Sequence, residues 1–282
     1  MVVARTKKEV QNALAIYRSH NHQIGFVPTM GALHRGHLSL VERALGENVI
    51  TVVSIFINPT QFDNPLDLEK YPENLEKDAA LLKALSPDIL IFAPSPLEIY
   101  DGNVMANSYD FGSLEKEMEG AYRKGHFNGV ATVVELLFKA VSPNTAYFGE
   151  KDFQQLQIIR KLTRQLALPI TIIGCPIERE SNGLARSSRN ERLSKPTREH
   201  SGFILTTLLT AKEKFGTENA HYIRNWVVSE FSNHPLFQLE YFEIVEEETL
   251  LPYKEKKENI KYRAFIAVYA ERIRLIDNIA LN

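Results

Sequence analysis

The segment VITVVSIFI at residues 49–57 restricts the fold more than any other part of the chain. It is almost continuously apolar and rich in β-branched side chains. A strand with one face in water alternates apolar and polar residues, whereas a strand covered on both faces does not need to. The segment therefore predicts a central strand of a parallel sheet that has helices on both sides.

Short apolar segments of this kind alternate with segments of helical periodicity along the first 175 residues. In the helix expected at 36–46, for example, Leu38, Val41 and Leu45 recur on one face. The alternation predicts a doubly wound α/β domain, in which helices pack on both faces of a parallel sheet. The expected strands are 23–28, 49–57, 89–93, 145–148 and 170–174, and the expected helices are 7–19, 36–46, 73–84, 128–140 and 152–166.

The pattern changes after Pro176, and a chain of 282 residues is long enough for a second core. Polar residues dominate at first, and a helical region and alternating strands follow. We therefore expect residues 1–175 to form the larger domain and residues 176–282 to form a smaller α+β domain. Its expected helices lie within 197–231, and its expected strands are 238–246, 262–270 and 272–278.

The net charge is close to zero, with 33 Lys and Arg against 35 Asp and Glu. This balance gives no general attraction to nucleic acid or anionic lipid, so phosphate binding would need a local site. The N-terminal segment lacks the apolar core of a signal peptide, and no apolar run is long enough to cross a bilayer. Cys175 is the only cysteine, which excludes an intramolecular disulfide and a cysteine-rich metal site. We expect a cytoplasmic protein with neither membrane nor nucleic-acid partners.

Residues 28–40, PTMGALHRGHLSL, place a turn between a predicted strand and a predicted helix. Ligands of open α/β sheets bind at the carboxyl ends of strands, and a helix N-terminus there offers N–H groups to phosphate. His34 and His37 lie at i and i+3, so both rings can face one ligand and donate to a charged phosphate. Two other interpretations stay open. One is a metal site, for which two ligands are too few, and the other is simple capping of the helix.

A second strand end lies in residues 148–162, FGEKDFQQLQIIRKL. Gly149 is followed by Lys151, which can neutralise phosphate charge, and by Asp152, which can reach a phosphate-bound Mg²⁺ directly or through water. The alternative is a solvated Lys–Asp pair at the end of a helix. Anion-binding chemistry at two strand ends of one predicted sheet favours nucleotide binding.

Three further regions carry weaker indications. The serines and Arg189 of the segment GLARSSRNERLS, at 183–194, can hold phosphate oxygens as a mobile clamp, although a polar linker would have a similar composition. Gln61 offers a neutral amide to hydroxyl or carboxylate groups. Arg123 and His126, in a glycine-punctuated loop before a helix, are candidates for contacts with substrate or pyrophosphate and equally for a structural role.

Five segments together closely resemble the pantothenate synthetase family of the HIGH-type nucleotidylyltransferase superfamily: PTMGALHRGH, IFINPTQF, HFNGVATVV, FGEKDFQQL and GLARSSRN, in that order. The resemblance extends from the first expected strand into the C-terminal domain. It implies ATP-dependent condensation of (R)-pantoate with β-alanine, which gives pantothenate, AMP and pyrophosphate through a pantoyl-adenylate. It also implies a Rossmann-like N-terminal domain that binds ATP, pantoate and Mg²⁺, a C-terminal lid domain, and a homodimer formed through the N-terminal domains.

The resemblance implies roles for individual residues as well. His37 is the expected donor to the phosphate, and His34 and Lys151 join it in stabilising the transition state. Gln61 and Gln155 are expected to bind pantoate, and Gln61 is also expected to help place β-alanine. The implied ATP contacts are Met30, Gly31, Ala32, Leu33, His34, Arg35, Gly36, His37, Gly149, Glu150, Lys151, Asp152, Glu178 through its backbone, Arg186, Ser187, Ser188 and Arg189.

The chain departs from the family at three positions. Asn182 replaces a common Asp, and Glu178 and Arg186 stand where the family usually has apolar residues. The alternatives to a pantothenate-forming ligase are another HIGH-type adenylyl or nucleotidyl transferase and a non-catalytic nucleotide-binding module. A tRNA-charging relative would need a basic surface and an added recognition domain. A non-catalytic module would lack the charged groups that this chain keeps.

Overall fold

The structure is a computed structural model that describes residues 2–62, 68–69, 71–253 and 255–282. Within these residues, six strands form one sheet in the order β1-β4-β3-β2-β5-β6, and every neighbouring pair is parallel. The doubly wound sheet predicted from the sequence is therefore confirmed. The strands are β1 Val2–Ala4, β2 Ile24–Thr29, β3 Ile50–Ile55, β4 Leu90–Phe92, β5 Thr145–Gly149 and β6 Thr171–Cys175.

The central strands β2 and β3 are buried on both faces, as their apolar sequences predict. Residues 24–27 and 50–54 are buried without alternation, and the two strands pair in register along their whole length. β3 ends at Ile55, two residues before the predicted end, because Asn58 and Pro59 begin a 3-10 turn shortly afterwards. The edge strand β1 is not predicted from the sequence, since three residues are too few to show a period.

The predicted helices lie close to their expected ranges, whereas the short helices Pro96–Ile99 and Glu119–Tyr122 are not predicted from the sequence. Thr6 and Glu9 form a capping box at the start of the first helix. His126 is the first residue of a helix and does not lie in the preceding loop, where it is predicted from the sequence. The helices are α1 Lys7–Ser19, α2 Arg35–Glu47, α3 Leu75–Leu85, α4 Pro96–Ile99, α5 Glu119–Tyr122, α6 His126–Val141, α7 Phe153–Gln165, α8 Lys195–His200, α9 Gly202–Phe215 and α10 Ala220–Ser232. None of the helices described is long and apolar enough to span a membrane.

The order of the strands reverses at β2. The chain moves from β2 to β3 and β4 on one side, and then returns to β5 on the other side of β2. In open α/β sheets a crevice forms at such a reversal, outside the carboxyl ends of the strands, and ligands bind there. The turns that follow β2 and β5 lie at this edge of the sheet.

The described chain forms two compact units, and it passes from one to the other five times. Two short segments that precede residue 177 belong to the second unit. The functional division into 1–175 and 176–282 stays a prediction. The first unit comprises Met1–Phe111, Gly120–Glu150 and Gln155–Pro176, and the second comprises Gly112–Glu119, Lys151–Gln154 and Ile177–Asn282.

The second unit contains an antiparallel sheet in the order β7-β8-β9 and the helices α8 to α10. Leu208 of α9, Val227 of α10 and Ile266 of the central strand are fully or almost fully buried in one core. This arrangement confirms the predicted small α+β unit. Its strands are β7 Phe237–Glu246, β8 Tyr262–Ala270 and β9 Ile273–Ala280.

Candidate active site

The turn after β2 is held by a carboxylate that no local sequence pattern indicates. Ala32 N–H donates to Oδ2 of Asp78 at 2.9 Å, and Leu33 N–H donates to Oδ1 at 2.8 Å. Gly31 has a φ of 82°, and a Cβ there would lie 3.0 Å from Oδ2 of Asp78. Burial raises the pKa of Asp78, against the opposing effect of these two N–H donors. Asp78 therefore fixes the shape of the turn, and Gly31 is required both for its φ and for the close approach.

His34 and His37 form a reciprocal cap at the start of α2. Nδ1 of His34 accepts the Gly36 N–H at 3.1 Å, and Nδ1 of His37 accepts the His34 N–H at 3.4 Å. The ring centroids are 4.1 Å apart. Because a backbone N–H can only donate, each Nδ1 is unprotonated, and each neutral ring carries its proton on Nε2. The capping interpretation left open from the sequence is thus realised, and it fixes the tautomer of both rings.

Gln61 lies in the 3-10 turn Pro59–Gln61, and its side chain is held at both ends. Its Oε1 accepts from Nδ2 of Asn58 at 3.1 Å, and its Nε2 lies 3.2 Å from Sδ of Met30. Asn58 is buried, and its Oδ1 also accepts a hydrogen bond from the Tyr100 hydroxyl at 2.5 Å. The fold therefore brings Gln61 beside the turn after β2 and presets the orientation of its amide. Asn58, which makes this possible, is not singled out by the sequence analysis.

Helix α6 approaches the same 3-10 turn very closely. A Cβ on Gly129 would lie 2.3 Å from the Thr60 carbonyl oxygen, so only glycine fits there. Nδ1 of His126 is 2.9 Å from the Gln61 carbonyl oxygen, and its Nε2 is 3.1 Å from Nη1 of Arg123. The ring nitrogens of His126 thus brace the turn that carries Gln61.

A cavity of about 320 Å³ adjoins this turn. Gln61 and His126 line it, whereas Gln155, the second predicted pantoate-binding residue, is not among its described lining residues. The remaining lining residues come from the 3-10 turn and the residue after it, from residues 106–108, and from the start of α6 and the two residues before it. They are Thr60, Phe62, Ala106, Asn107, Ser108, Lys124, Gly125 and Asn128.

The turn after β5 carries the second predicted group of site residues. Gly149 ends the strand, and Glu150, Lys151 and Asp152 form a 3-10 turn. Nζ of Lys151 lies 3.4 Å from Oδ1 of Asp152, which is the Lys–Asp pair named as an alternative. Lys151 and Asp152 belong to the second unit, whereas Gln155, partly buried in the first turn of α7, belongs to the first.

The predicted clamp of the second unit is a short hairpin. Arg179 and Ala185 pair as an antiparallel bridge, and the Arg186 N–H donates to the Glu178 carbonyl oxygen at 2.9 Å. Oγ of Ser187 accepts the Arg189 N–H at 3.2 Å and starts the 3-10 turn Ser188–Arg192. Glu178 and Arg186, both predicted ATP contacts, are therefore adjacent in the structure.

Two polar atoms bear on what this hairpin can bind. Nε of Arg186 is buried and has no hydrogen-bond partner among the residues that the structure describes. Buried donors are normally paired, so this one is available to an acceptor on a ligand. Asn190 is also buried, and its Nδ2 donates to Oε1 of Glu180 at 2.9 Å and to the Ala185 carbonyl oxygen at 3.0 Å. Its Oδ1 has no hydrogen-bond partner within the described part of the chain, so it can accept from a ligand donor.

Asp152 is the predicted Mg²⁺ ligand, and its side chain is about half exposed. Over the described ranges, no group of three or more His, Cys, Asp or Glu residues is arranged to hold a metal ion. Mg²⁺ in nucleotide sites is commonly bound by one or two carboxylates together with phosphates and water. A single accessible carboxylate fits an ion of that kind, shared with a nucleotide.

Cys175, at the end of β6, is a core residue as the sequence analysis predicts. It is 4% exposed, and burial raises the pKa of its thiol. Nη1 of Arg43 lies 3.8 Å from the sulfur. A buried, protonated thiol is a poor nucleophile.

The fold and the turns at its strand ends define the class of protein. A parallel α/β sheet with a glycine-containing turn and a helix N-terminus at its switch point is an architecture that binds nucleotides through their phosphates. The chain is therefore an α/β protein of the nucleotide-binding class.

Comparisons with known proteins narrow this class. The family model for pantoate-beta-alanine ligase matches residues 2–280. A pantothenate synthetase of Christiangramia forsetii is 54% identical over 282 residues, which is the whole of both chains. A pantothenate synthetase structure from Thermus thermophilus has a TM-score of 0.91 and 41% identity, over 100% of this chain and 99% of that one. A pantoate-beta-alanine ligase from Francisella tularensis, complexed with beta-gamma ATP and beta-alanine, has a TM-score of 0.75 and 36% identity, over 100% and 98%.

The chain therefore belongs to the pantoate-beta-alanine ligase family. It is an enzyme, an ATP-dependent ligase that forms pantothenate from pantoate and β-alanine. The resemblance carried by the five sequence segments is confirmed. The roles of individual residues stay predictions.

Proposed function

We propose that this ligase forms pantoyl-adenylate at the turn after β2, with the phosphates of ATP against the N-terminus of α2. A carboxylate oxygen of pantoate attacks the α-phosphorus, and a new P–O bond forms. The bond from the α-phosphorus to the bridging oxygen breaks, and pyrophosphate leaves with that electron pair. In the second step the amine of β-alanine attacks the carboxyl carbon and loses a proton, and AMP leaves.

The histidine cap is the observation that carries this proposal. Both Nδ1 atoms accept backbone N–H groups, so His34 and His37 keep their protons on Nε2 as donors. The α-phosphate gains negative charge as the carboxylate attacks, and preoriented donors at a helix N-terminus stabilise that charge. We assign His37 as the principal donor and His34 as its partner. Residues 30–37 and 149–150 are the proposed ATP contacts of the first unit.

The second unit supplies the remaining proposed nucleotide contacts. Lys151 neutralises the β- and γ-phosphates as a point charge. Arg189, Ser187 and Ser188 bind phosphate oxygens, and Glu178 contacts the nucleotide through its backbone. The buried Nε of Arg186, which has no hydrogen-bond partner in the described part of the chain, supports a ligand acceptor at that position.

Pantoate is proposed to bind to Gln61 and Gln155. A neutral amide can hold the acid without a change of charge as the carboxylate becomes a mixed anhydride. The contacts of Gln61 with Asn58 and Met30 support this role, because a prealigned amide loses less conformational freedom when the substrate binds. Gln61 is also the proposed contact for β-alanine.

Mg²⁺ is the proposed metal, and Asp152 would hold it directly or through water. When bound, the ion reduces the negative charge on the polyphosphate. We also propose a cytoplasmic homodimer joined through the N-terminal domains, in which residues 176–282 act as a lid. These last assignments are supported by the family resemblance.

A rapid-quench experiment without β-alanine tests the stepwise scheme. Stoichiometric enzyme with ATP, Mg²⁺ and pantoate should form bound pantoyl-adenylate and about one equivalent of pyrophosphate per site, because adenylation precedes the amine. Addition of β-alanine should then release pantothenate and AMP. Formation of ADP, or of pyrophosphate only after β-alanine is added, would contradict the scheme.

Titrations of two variants test the substrate assignments in the same assay. Gln155→Ala should weaken the binding of pantoate much more than the binding of ATP. Arg189→Ala should mainly weaken the binding of ATP. Equal weakening of both substrates by Gln155→Ala would remove that residue from the acid pocket.

A further inference from the structure

Two consecutive residues of β9, Asp277 and Asn278, contact separate parts of the second unit. Their side chains are 4% and 1% exposed. Consecutive strand residues point to opposite faces of a sheet, so the pair can reach in two directions at once. Each of them forms hydrogen bonds with one of the two segments proposed to bind the nucleotide. These segments are the Lys151 turn and the clamp hairpin.

Asn278 holds the main chain of Lys151. Its Nδ2 donates to the Lys151 carbonyl oxygen at 2.9 Å, and its Oδ1 accepts from Nη1 of Arg263 at 2.6 Å. The Arg263 guanidinium in turn lies 3.9 Å from the centre of the Phe153 ring, which packs edge-on against Phe265. The residues on both sides of Asp152 are therefore attached to the C-terminal sheet.

Asp277 holds the hairpin that carries the clamp. Its two carboxylate oxygens accept from Nη1 and Nη2 of Arg179 at 2.6 and 2.9 Å. Nη1 of Arg179 also donates to the Gly183 carbonyl oxygen at 3.0 Å, which closes the hairpin across its turn. A bidentate pair of this kind fixes the direction as well as the distance of the guanidinium.

The geometry points to a positioning function for this pair: Asp277 and Asn278 hold Lys151 and the clamp hairpin in fixed relation to each other within the second unit. Neither residue is expected to touch substrate. The inference rests on the proposed role of Lys151 and the clamp in binding phosphate. A pair that only stabilised the fold would not need its two arms to end on these two segments.

A double-mutant cycle between Asn278 and Lys151 tests the first arm. Asn278→Asp keeps the acceptor for Arg263 and replaces the donor to the Lys151 carbonyl with an oxygen. Single-turnover adenylation should fall about tenfold in Asn278→Asp and about a hundredfold in Lys151→Ala, the usual loss for one transition-state donor. The double variant should be no slower than Lys151→Ala, because the effects of substituting two residues in contact do not add.

Asn282→Asp is the matched control. Asn282 accepts the Tyr262 N–H at 2.8 Å and donates to the Ile260 carbonyl oxygen at 2.8 Å, so the same substitution removes the same kind of bond. It should leave the adenylation rate unchanged. If Asn278→Asp does not fold, Asn278→Ser, which is too short to reach the Lys151 carbonyl, is carried through the same cycle.

The second arm predicts a different kinetic change. Asp277→Asn should raise the KM for ATP several-fold and leave the KM for pantoate unchanged, since the clamp hairpin is loosened. If Lys151→Ala adenylates at the wild-type rate, the proposed role of Lys151 fails. If Lys151→Ala slows adenylation as expected, two results overturn the positioning inference alone. One is that Asn278→Asp has no effect, and the other is that the two losses of rate multiply in the double variant.

Discussion

His34 and His37 each have two ring nitrogens, and the fold assigns them different tasks. Nδ1 completes the N-terminal cap of α2. Nε2 keeps its proton and can donate it in a hydrogen bond to a phosphate oxygen. Capping and phosphate binding, which are alternatives at the level of sequence, are compatible in the structure. The cap orients the ring and selects the tautomer, so the structural contact prepares the chemical one.

The two tasks of His34 can be separated by a pair of substitutions. His34→Ala removes the cap and the donor, whereas His34→Ser keeps a capping oxygen and removes only the donor. Both variants should adenylate about a hundredfold more slowly in single turnover. Only His34→Ala should lose about 1 kcal/mol of unfolding free energy, measured by denaturant titration.

A serine variant that recovers both stability and adenylation would show that the ring serves only as a cap. Wild-type stability of the alanine variant would show instead that the cap contributes nothing measurable.

The residues that meet substrate in the proposal could be predicted from sequence better than the residues that hold them. His34, His37 and Lys151 stand in, or directly after, glycine-containing turns at strand ends, where chemistry is expected. Asp78 lies 45 positions from Leu33, and Asn278 lies 127 positions from Lys151. No local periodicity relates residues so far apart, so only the folded chain shows these contacts.

At the scale of elements, the alternation of apolar and helical segments predicts the sheet and its helices closely. The boundaries shift where a cap or a tight turn decides them, as at Ile55 and His126. The packing of one element on another is not predictable in this way. Helix α6 meets the 3-10 turn Pro59–Gln61 at Gly129, and the sequence gives no indication of that contact.

Gly129→Ala should disturb the pantoate site through this contact. The added Cβ would lie 2.3 Å from the Thr60 carbonyl oxygen and 2.8 Å from the Cα of Gln61, so the turn has to move. We expect a loss of about 1–3 kcal/mol of unfolding free energy, the usual cost of overpacking. The KM for pantoate should rise about tenfold, with a smaller change in the KM for ATP.

Gly46→Ala is the control for this substitution. Gly46 lies near the end of α2, and a Cβ there would have no atom of the described residues within 4 Å. It should be neutral or slightly stabilising, because alanine is the better helix former. An unchanged KM for pantoate in Gly129→Ala would contradict the proposed link between α6 and Gln61.

At the scale of the whole molecule, the second unit is assembled from three separate stretches of chain. Its early segment 112–119 is attached through Glu119. Both carboxylate oxygens of Glu119 accept hydrogen bonds from the Arg274 guanidinium, at 2.7 and 2.8 Å. Nε of Arg274 donates to Oε2 of Glu240 at 2.8 Å. The Tyr241 hydroxyl adds a donor to Glu119 at 2.9 Å.

Arg274→Ala should therefore destabilise the protein by about 3 kcal/mol or more, because it leaves two largely buried carboxylates without their cation. Arg224→Ala, in the more exposed pair with Glu243, is the matched control and should cost less than about 1 kcal/mol. Denaturant unfolding of both variants gives the comparison. Similar losses in the two would show that the Glu119 cluster does not hold the segment.

The assembly of the second unit from distant stretches also limits how genes of this kind can recombine. A crossover between two related genes at codon 176 would join the Lys151 stretch of one parent to the β9 strand of the other. The Asn278 side chain and the Lys151 carbonyl oxygen that it binds, 127 positions apart, would then come from different parents. Working hybrids should be commonest when residues 112–119, 151–154 and 177–282 are inherited together.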